Sequence, residues 1–367
     1  MVIDEKKKYL IILGCTLFVL YTFIAARPVP VETILMPRWF ISLESTYPNG
    51  VYHTGTQDEV QLLPFQLGER FGYVDKDGNF SINQVRKGDY VSISQDRWAE
   101  YNPVPKTIEV RDPVNNPVLT IDKSQGYPLF LDERLFLIGS EQNSIALVDD
   151  TGAIGWSHDF AAPLTTIDAA AGLVVAGLLD GTVEVLDNQG RRFFFFEPGG
   201  SRLSVILGCA LSKDGSRMAL ISGIDEQRFL ILERIGDSGN IEYKVLYHEF
   251  LGIGFRRPVH VAFVDNDSRI VFARQGGLGL YDIHTRTSLK LPLEGDIIAL
   301  DESGRDRLLF ILTAQTSGWK RLAAIRFPGT LIIEAPFKSE TVFLGRQGSR
   351  LYVGGSMTLA SFEVGKR

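Results

Sequence analysis

The chain has 367 residues, of which 45% are apolar and 22% charged, so a disordered polypeptide is excluded and a large hydrophobic core is available. Its 38 basic and 44 acidic residues give a net charge of −6, which argues against a surface that binds the phosphate backbone of nucleic acids. Two cysteines exclude a disulfide scaffold and a multi-cysteine metal site, and 36 glycines indicate many tight turns.

An apolar segment lies close to the amino terminus. Residues 9–26 carry no charge and are just long enough for a helix that crosses a hydrocarbon core of ~30 Å. Three lysines, at 6–8, precede the segment, whereas only Arg27 follows it directly, so residues 1–8 are expected in the cytoplasm. We therefore predict a single-pass signal anchor at 9–26 in the cytoplasmic membrane, a linker at 27–38, and a domain at 39–367 in the periplasm or outside the cell.

Two alternatives remain open for this segment. A cleaved secretory signal needs small residues at a small-x-small site, but Ile24 and Phe23 stand two residues before Ala26 and Ala25. A lipoprotein signal would use Cys15, although most of the apolar run follows that cysteine. All three interpretations place the bulk of the chain outside the cytoplasm.

An internal repeat begins at residue 135. Residues 135–160 align without a gap on residues 173–198 at an offset of 38. The matched pairs include Leu135 with Leu173, Gly139 with Gly177, Asp149 with Asp187, Gly152 with Gly190 and Trp156 with Phe194. Each unit is a series of short apolar strands separated by turns that contain Asp or Asn and Gly. We expect the aspartates at the strand ends to bond their own turn backbone rather than a ligand.

Similar strands recur up to the carboxyl terminus. Their leading apolar residues are Leu135, Leu173, Met218, Ile270, Leu308 and Leu351, with steps of 38, 45, 52, 38 and 43 residues. These steps are typical of four-stranded propeller blades, and continuously apolar strands indicate sheets buried on both faces. We predict an all-β fold, a β-propeller of seven four-stranded blades, with eight or six as alternatives. The last unit holds three strands, so a strand near 39–43 is expected to complete it and close the ring.

The first repeat carries a recognisable motif. Its pattern resembles the repeat of quinoprotein-like β-propellers and consists of Gly139, the run Ile145–Asp149, Thr151-Gly152 and Trp156. The units are also similar to WD40-like repeats. The quinoprotein-like family includes pyrroloquinoline-quinone dehydrogenases and the propeller subunit of the bacterial outer-membrane-protein assembly machine. The resemblance implies a propeller and, by analogy with the assembly subunit, a scaffold or assembly factor of the cell envelope.

Catalytic motifs are absent from the sequence. The adjacent cysteine pair of the quinone enzymes, paired zinc-binding histidines, the G-x-S-x-G elbow and the phosphate-binding loop do not occur. Residues 75–79 are similar to the start of a calcium loop, but Arg86 replaces the glutamate at position twelve and a hairpin turn is favoured. His158 is expected to be a satisfied structural histidine. We predict no catalytic, metal or cofactor site and therefore no enzyme.

Two pairs of arginines are the candidate partner-binding residues. Arg191 and Arg192 precede the run Phe193–Phe196, and Arg256 and Arg257 stand in a loop between blades. We expect them to meet acidic loops of a protein partner in the envelope. The phenylalanine run is expected in the core between blades, unless it lies on an outermost strand and offers an edge for strand addition. Two alternative functions are an enzyme, a hydrolase or dehydrogenase with its site at the propeller axis, and a ligand sensor.

Overall fold

A computed structural model describes residues 5–25, 32–44, 61–122, 124, 126–236 and 242–366. The chain divides into two compact units, Met1–Met36 with Val364–Arg367 and Pro37–Glu363. The first unit contains the helix α1 (Glu5–Ala25). Within the described ranges, no helix is long and apolar enough to cross a membrane, so the structure does not support the predicted transmembrane segment at 9–26.

Thirty-one strands form eight antiparallel sheets in the described part of the chain. Blade 1 contains β2 (Leu63–Leu67), β3 (Arg70–Val74) and β4 (Phe80–Val85). Blade 2 contains β5 (Tyr90–Ile93), β6 (Trp98–Tyr101), β7 (Thr107–Arg111) and β8 (Pro117–Asp122). Blade 3 contains β9 (Gly126–Leu131), β10 (Arg134–Gly139), β11 (Ser144–Val148) and β12 (Ile154–Asp159). Blade 4 contains β13 (Leu164–Ala170), β14 (Leu173–Leu178), β15 (Val183–Leu186) and β16 (Arg192–Phe196).

The remaining blades follow the same order. Blade 5 contains β17 (Ile206–Leu211), β18 (Arg217–Ser222), β19 (Gln227–Ile235) and β20 (Glu242–Gly252). Blade 6 contains β21 (Val261–Val264), β22 (Arg269–Arg274), β23 (Gly277–Asp282) and β24 (Thr287–Pro292). Blade 7 contains β25 (Asp296–Leu300), a 3-10 turn (Arg305–Arg307), β26 (Leu308–Ala314), β27 (Trp319–Arg326) and β28 (Thr330–Lys338). Blade 8 contains β29 (Val342–Gln347), β30 (Arg350–Gly355), β31 (Thr358–Lys366) and, as its outer strand, β1 (Thr33–Ser42).

The strand order defines two rims of the ring. In blades 2–7 the first strand, A, lies nearest the axis and B, C and D follow outward, because consecutive A strands such as β13 and β17 contact each other. Antiparallel strands alternate in direction. The connections from D to the next A and the BC turns therefore share one rim, the DA/BC rim, while the AB and CD turns share the other, the AB/CD rim.

The amino-terminal strand closes the ring, as the sequence predicts. β1 pairs with β31, and the N–H of Leu43 donates to the carbonyl of Met357 at 2.8 Å. The indole of Trp39 donates to the carbonyl of Lys76 in blade 1 at 3.0 Å, which links the last blade to the first. β1 begins at Thr33, inside the stretch expected to be a linker.

The described residues form eight blades, which was the first alternative, so the preferred number of seven was wrong. Residues 63–122 form two sheets, one of three described strands and one of four, although these short, polar strands show little of the later repeat. Blade 1 has three described strands, and Leu63 lies beside Gly345 whereas Leu67 lies beside Gly354. β2 therefore runs antiparallel to β29, which is the direction of a B strand. No described strand of blade 1 runs in the direction of an A strand.

The core lies between the blades because most strands are apolar on both faces. The buried side chains of β17 and β18 point alternately towards the blades on either side of blade 5. On one side, Ile206, Cys209 and Leu220 pack with Val175 of blade 4. Phe229 of blade 5 stacks on Phe272 of blade 6 with ring centres 3.9 Å apart. Full burial of such a side chain contributes about 1.5–3 kcal/mol, and this sheet-on-sheet packing holds the rim loops in place.

Candidate protein-interaction rim

The two predicted arginine pairs lie on opposite rims. Arg191 stands in the CD turn of blade 4 and Arg192 begins the D strand that follows it. Arg256 and Arg257 stand in the connection from blade 5 to blade 6. The structure therefore places the two pairs in separate parts of the ring, and their contact with acidic loops of a partner stays a prediction.

Arg191 and Arg192 are engaged in contacts within the protein. The backbone N–H and the Nε of Arg191 donate to Asp187 at 3.0 and 2.9 Å. Arg192 Nη1 donates to Glu184 Oε1 at 3.1 Å, and His158 Nε2 of blade 3 lies 3.0 Å from Glu184 Oε2. Because Glu184 is buried, these cationic and imidazole groups compensate its carboxylate. The cluster joins blades 3 and 4, which confirms the structural role expected for His158.

Arg256 and Arg257 differ in their surroundings. Arg257 Nη2 pairs with Asp296 Oδ2 at 3.0 Å, and its guanidinium lies 5.0 Å from the ring centre of Phe255. Arg256 is exposed and has no ion pair among the described residues. Arg257 also borders an open cleft of about 790 Å³ on the DA/BC rim, and the other residues that line it are Gly295, Asp296, Ile298, Ala314, Gln315, Thr316 and Ser317.

The DA/BC rim also exposes large apolar side chains. Four of them are more than half exposed and follow one another from the BC turn of blade 4 to the loop that enters blade 6; they are Leu179, Leu203, Phe250 and Ile253. We call these four residues the apolar rim patch. Arg202 and Arg256 lie beside it in the sequence and are exposed. Clustered apolar side chains at a surface, bordered by charge, are typical of protein-binding sites.

Hydrogen bonds to Asp225 hold the loop that carries Leu203. Asp225 stands in the BC turn of blade 5, where its carboxylate accepts hydrogen bonds from the Ser201 hydroxyl, from Arg202 Nε at 3.3 Å and from the Leu203 N–H at 3.5 Å. The carbonyl of Leu203 accepts from the N–H of Ile224 at 3.2 Å. The bond from Ser201 is the main reason that the pKa of Asp225 lies below its ordinary value of 3.8.

We expect Asp225→Asn to loosen this loop while the blades stay folded. The measurement is hydrogen exchange, in which the amides of Leu203 and Ile224 should exchange faster than in the wild type. In the wild type the pKa of Asp225 is lower in the folded chain than its ordinary value of 3.8. The stability that the ionised carboxylate contributes is therefore complete above pH 3.8 and is lost only as the pH falls through the lower pKa of the folded state. Asp180→Asn is the matched control, because Asp180 bonds Thr182 in its own turn. Equal protection of Leu203 in both variants would contradict the anchoring role.

The CD turns of blades 1–4 share one design on the opposite rim. Their first residues are Asp75, Asp112, Asp149 and Asp187, and each Oδ1 accepts the N–H groups two and four positions later at 2.7–3.0 Å. The fourth position has a positive φ and is Gly78, Asn115, Gly152 or Gly190. The aspartates therefore bond their own turns, as predicted, and the calcium-like stretch at 75–79 is a hairpin turn.

Near the axis on the AB/CD rim, two carboxyl groups have perturbed acidity. Burial raises the pKa of Asp168 on β13, although the N–H groups of Leu211 and Ala169 donate to it at 2.7 and 2.8 Å. Glu302 is exposed at the surface, yet protein atoms surround much of its carboxyl group, and this desolvation raises its pKa. The negative charges of Asp168 and Asp301 raise the pKa of Glu302 further. In the described residues, no group of three or more His, Cys, Asp or Glu side chains is placed to hold a metal ion.

Comparison with known families agrees with this architecture. A family model described as a beta-propeller protein matches residues 1–366. The chain belongs to this beta-propeller family. An uncharacterized protein of Treponema pallidum (strain Nichols) is 27% identical over 371 residues, which cover 99% of this chain and 96% of that protein.

A solved propeller shows the same fold. The crystal structure of BamB from Moraxella catarrhalis superimposes with a TM-score of 0.57 at 13% sequence identity, covering 90% of this chain and 100% of BamB. At this identity the likeness concerns the fold, because one propeller scaffold can carry unrelated functions.

Proposed function

We propose that this beta-propeller is a protein-interaction scaffold of the cell envelope and that its partner binds the apolar rim patch. One observation carries the proposal: four large apolar side chains are exposed along one stretch of the DA/BC rim, and arginines lie beside them in the sequence. Extended apolar surface at the rim of a folded domain is a frequent feature of protein-binding sites. The bonds to Asp225 order the loop in advance, which lowers the conformational entropy lost on binding.

The charges beside the patch indicate the chemistry of the partner. Arg256 has no ion pair in the described part of the chain, and Arg202, although 94% exposed, pairs with Asp225 Oδ2 at 3.3 Å. A partner with an apolar centre and acidic residues at its margin would match this surface. Central apolar contacts would supply most of the affinity, while the arginines would mainly accelerate association and set orientation.

The proposed location is outside the cytoplasm. It rests on the sequence, in which three lysines precede the uncharged residues 9–26 and one arginine follows them. Each interpretation of that segment leads to the same side of the membrane. The full chain should therefore be recovered with envelope fractions of the cells that make it.

The test is affinity capture of the tagged full chain from envelope extracts. The double variant Leu203→Ser/Ile253→Ser should lose a partner that the wild type retains, with affinity at least about tenfold lower, since tenfold corresponds to about 1.4 kcal/mol. Arg256→Glu should slow association and reduce its dependence on salt. Leu331→Ser, on the outer strand β28, is the control for loss of an exposed apolar side chain. Capture that is equal for the patch variant and the control would refute the proposed site.

A further inference from the structure

The outer strand of blade 4 has an open edge that lacks the usual protection. In the described chain β16 pairs only with β15. Its residues 193–196 are four phenylalanines without a charge or a proline. Other outer strands carry such residues: Pro37 and Arg38 in β1, Lys290 and Pro292 in β24, and Pro336 and Lys338 in β28. Prolines and charges on an edge hinder pairing with another strand. The outer strand β4 also lacks both, but it is largely polar, whereas β16 is apolar after Arg192 at its start.

One face of β16 presents a cation, an aromatic ring and an anion in order. The guanidinium of Arg192 lies 5.4 Å from the ring centre of Phe195, so the two side chains share a face. Glu197 lies two residues after Phe195 and extends the same face if the strand is continued. Phe195 is 51% exposed, and Glu197 is exposed with no ion pair among the described residues.

The other phenylalanines fix the strand to the ring. Phe194 and Phe196 stack with ring centres 6.2 Å apart, and Phe194 packs against Tyr243 of blade 5 at 5.3 Å. Arg192 is held by the buried Glu184. The edge is therefore rigid before any partner arrives, and Phe195 is left outside the core.

We propose that β16 pairs antiparallel with β16 of a second copy of this chain, about a twofold axis perpendicular to the joined sheets. An antiparallel neighbour reverses the order of the charges. A bulge at Phe193 places Arg192, not Phe193, opposite Leu186, so along the ladder Arg192 stands two positions from Phe195, as Glu197 does on the other side. With Phe195 opposite Phe195, Arg192 of each copy therefore comes beside Glu197 of the other. A twofold axis of this kind keeps each side chain on its own face, and Phe195 then lies opposite Phe195 of the second copy. The cation–aromatic–anion order is self-complementary only in this arrangement, since a parallel pair would place arginine beside arginine.

The size of the contact sets the strength of the dimer. A single pair of five-residue strands is smaller than the interface of a permanent complex. We therefore expect a reversible dimer whose population rises with protein concentration. Salt should weaken it, because the two Arg192–Glu197 pairs would be solvent-exposed.

Sedimentation velocity of the full chain, in mild detergent over a range of concentrations, tests the pairing. The wild type should show a monomer–dimer equilibrium, and Phe195→Lys should shift it to monomer, since two lysines would face each other at the axis. Leu331→Lys, which also adds a charge to an exposed position of an outer strand, should dimerise like the wild type. Glu197→Arg should weaken the dimer at low salt most strongly. A wild type that stays monomeric, or a dimer that Phe195→Lys leaves intact, would overturn the proposal.

Cysteine cross-linking tests the register independently of affinity. In a Cys15→Ser background, Cys209 is buried and does not compete for oxidants. Phe195→Cys should then form a disulfide-linked dimer under mild oxidation, because directly opposite residues approach closely enough for a disulfide. Leu331→Cys should remain monomeric under the same conditions. Equal cross-linking of both variants would indicate random collision and would count against the twofold pairing.

Discussion

Replacing Arg346 with methionine is expected to lower the free energy of unfolding by about 3–5 kcal/mol. The Arg346 side chain is 1% exposed on the inner strand of blade 8 and reaches the AB connection of blade 7. Its Nη1 donates to Asp301 Oδ2 at 3.0 Å and to the carbonyl of Arg305 at 2.9 Å, and its Nη2 donates to Asp306 Oδ2 at 3.1 Å. Without this guanidinium, the buried carboxylate of Asp301 would have no compensating charge. Chemical denaturation of the full chain measures the loss.

The control for Arg346 is Arg191→Met. Arg191 also pairs with an aspartate, but its side chain is 72% exposed, so its loss should change stability by no more than about 1 kcal/mol. Adding Asp301→Asn to Arg346→Met should recover part of the stability, since the uncompensated negative charge is then removed. A loss for Arg346→Met as small as that for Arg191→Met would show that the contact between blades 7 and 8 does not depend on this arginine.

Gly190→Ala is expected to destabilise the protein by about 2–5 kcal/mol, combining left-handed backbone strain with overpacking. Gly190 has a φ of 74° in the CD turn of blade 4, and a Cβ at this position would collide with the ring of Trp156. Trp156 of blade 3 lies over this turn and donates its indole N–H to the carbonyl of Asn188 at 3.1 Å. Thermal unfolding compared with the wild type measures the effect.

Gly199→Ala separates the two causes. Gly199 also has a positive φ, 63°, but no atom lies within 4 Å of a Cβ built on it. Its substitution should therefore show the backbone strain alone, about 1–2 kcal/mol. The double variant Gly190→Ala/Trp156→Leu should lose less stability than the sum of the losses of the two single variants, because the smaller side chain relieves the collision. Equal losses for the two glycine variants would argue against docking of Trp156 on the turn.

Much of the architecture was predictable because its causes are local. Apolar runs such as Ile206–Leu211, with no polar alternation, indicate strands buried on both faces, and the structure buries this strand completely. A last unit of three strands required a fourth from elsewhere, and residues 33–42 supply it. The turn aspartates were interpreted correctly, because an Asp side chain reaches backbone N–H groups of its own turn.

The number of blades was missed although a signal for it was present. Asp75, Asp112, Asp149 and Asp187 are separated by 37, 37 and 38 residues, and all four open CD turns of the same geometry. The apolar strand pattern is weak in blades 1 and 2, since strands such as Phe80–Val85 mix polar and apolar residues. The spacing of the turns extends the repeat back to residue 75 and would have indicated both blades.

The residues by themselves determined the kind of element, the turn chemistry and the repeat, since these depend on neighbours within a few positions of the chain. Only the tertiary structure decided which loops share a rim and which strands form an open edge. Alternating strand directions separate Arg191 from Arg256, and they gather Leu179, Leu203, Phe250 and Ile253 on one rim. The strand order of blade 4 leaves β16 outermost. Phe194 therefore packs inward, whereas Phe195 faces solvent. Equivalent phenylalanines in the sequence thus acquire different environments, because burial depends on sheets that are distant along the chain.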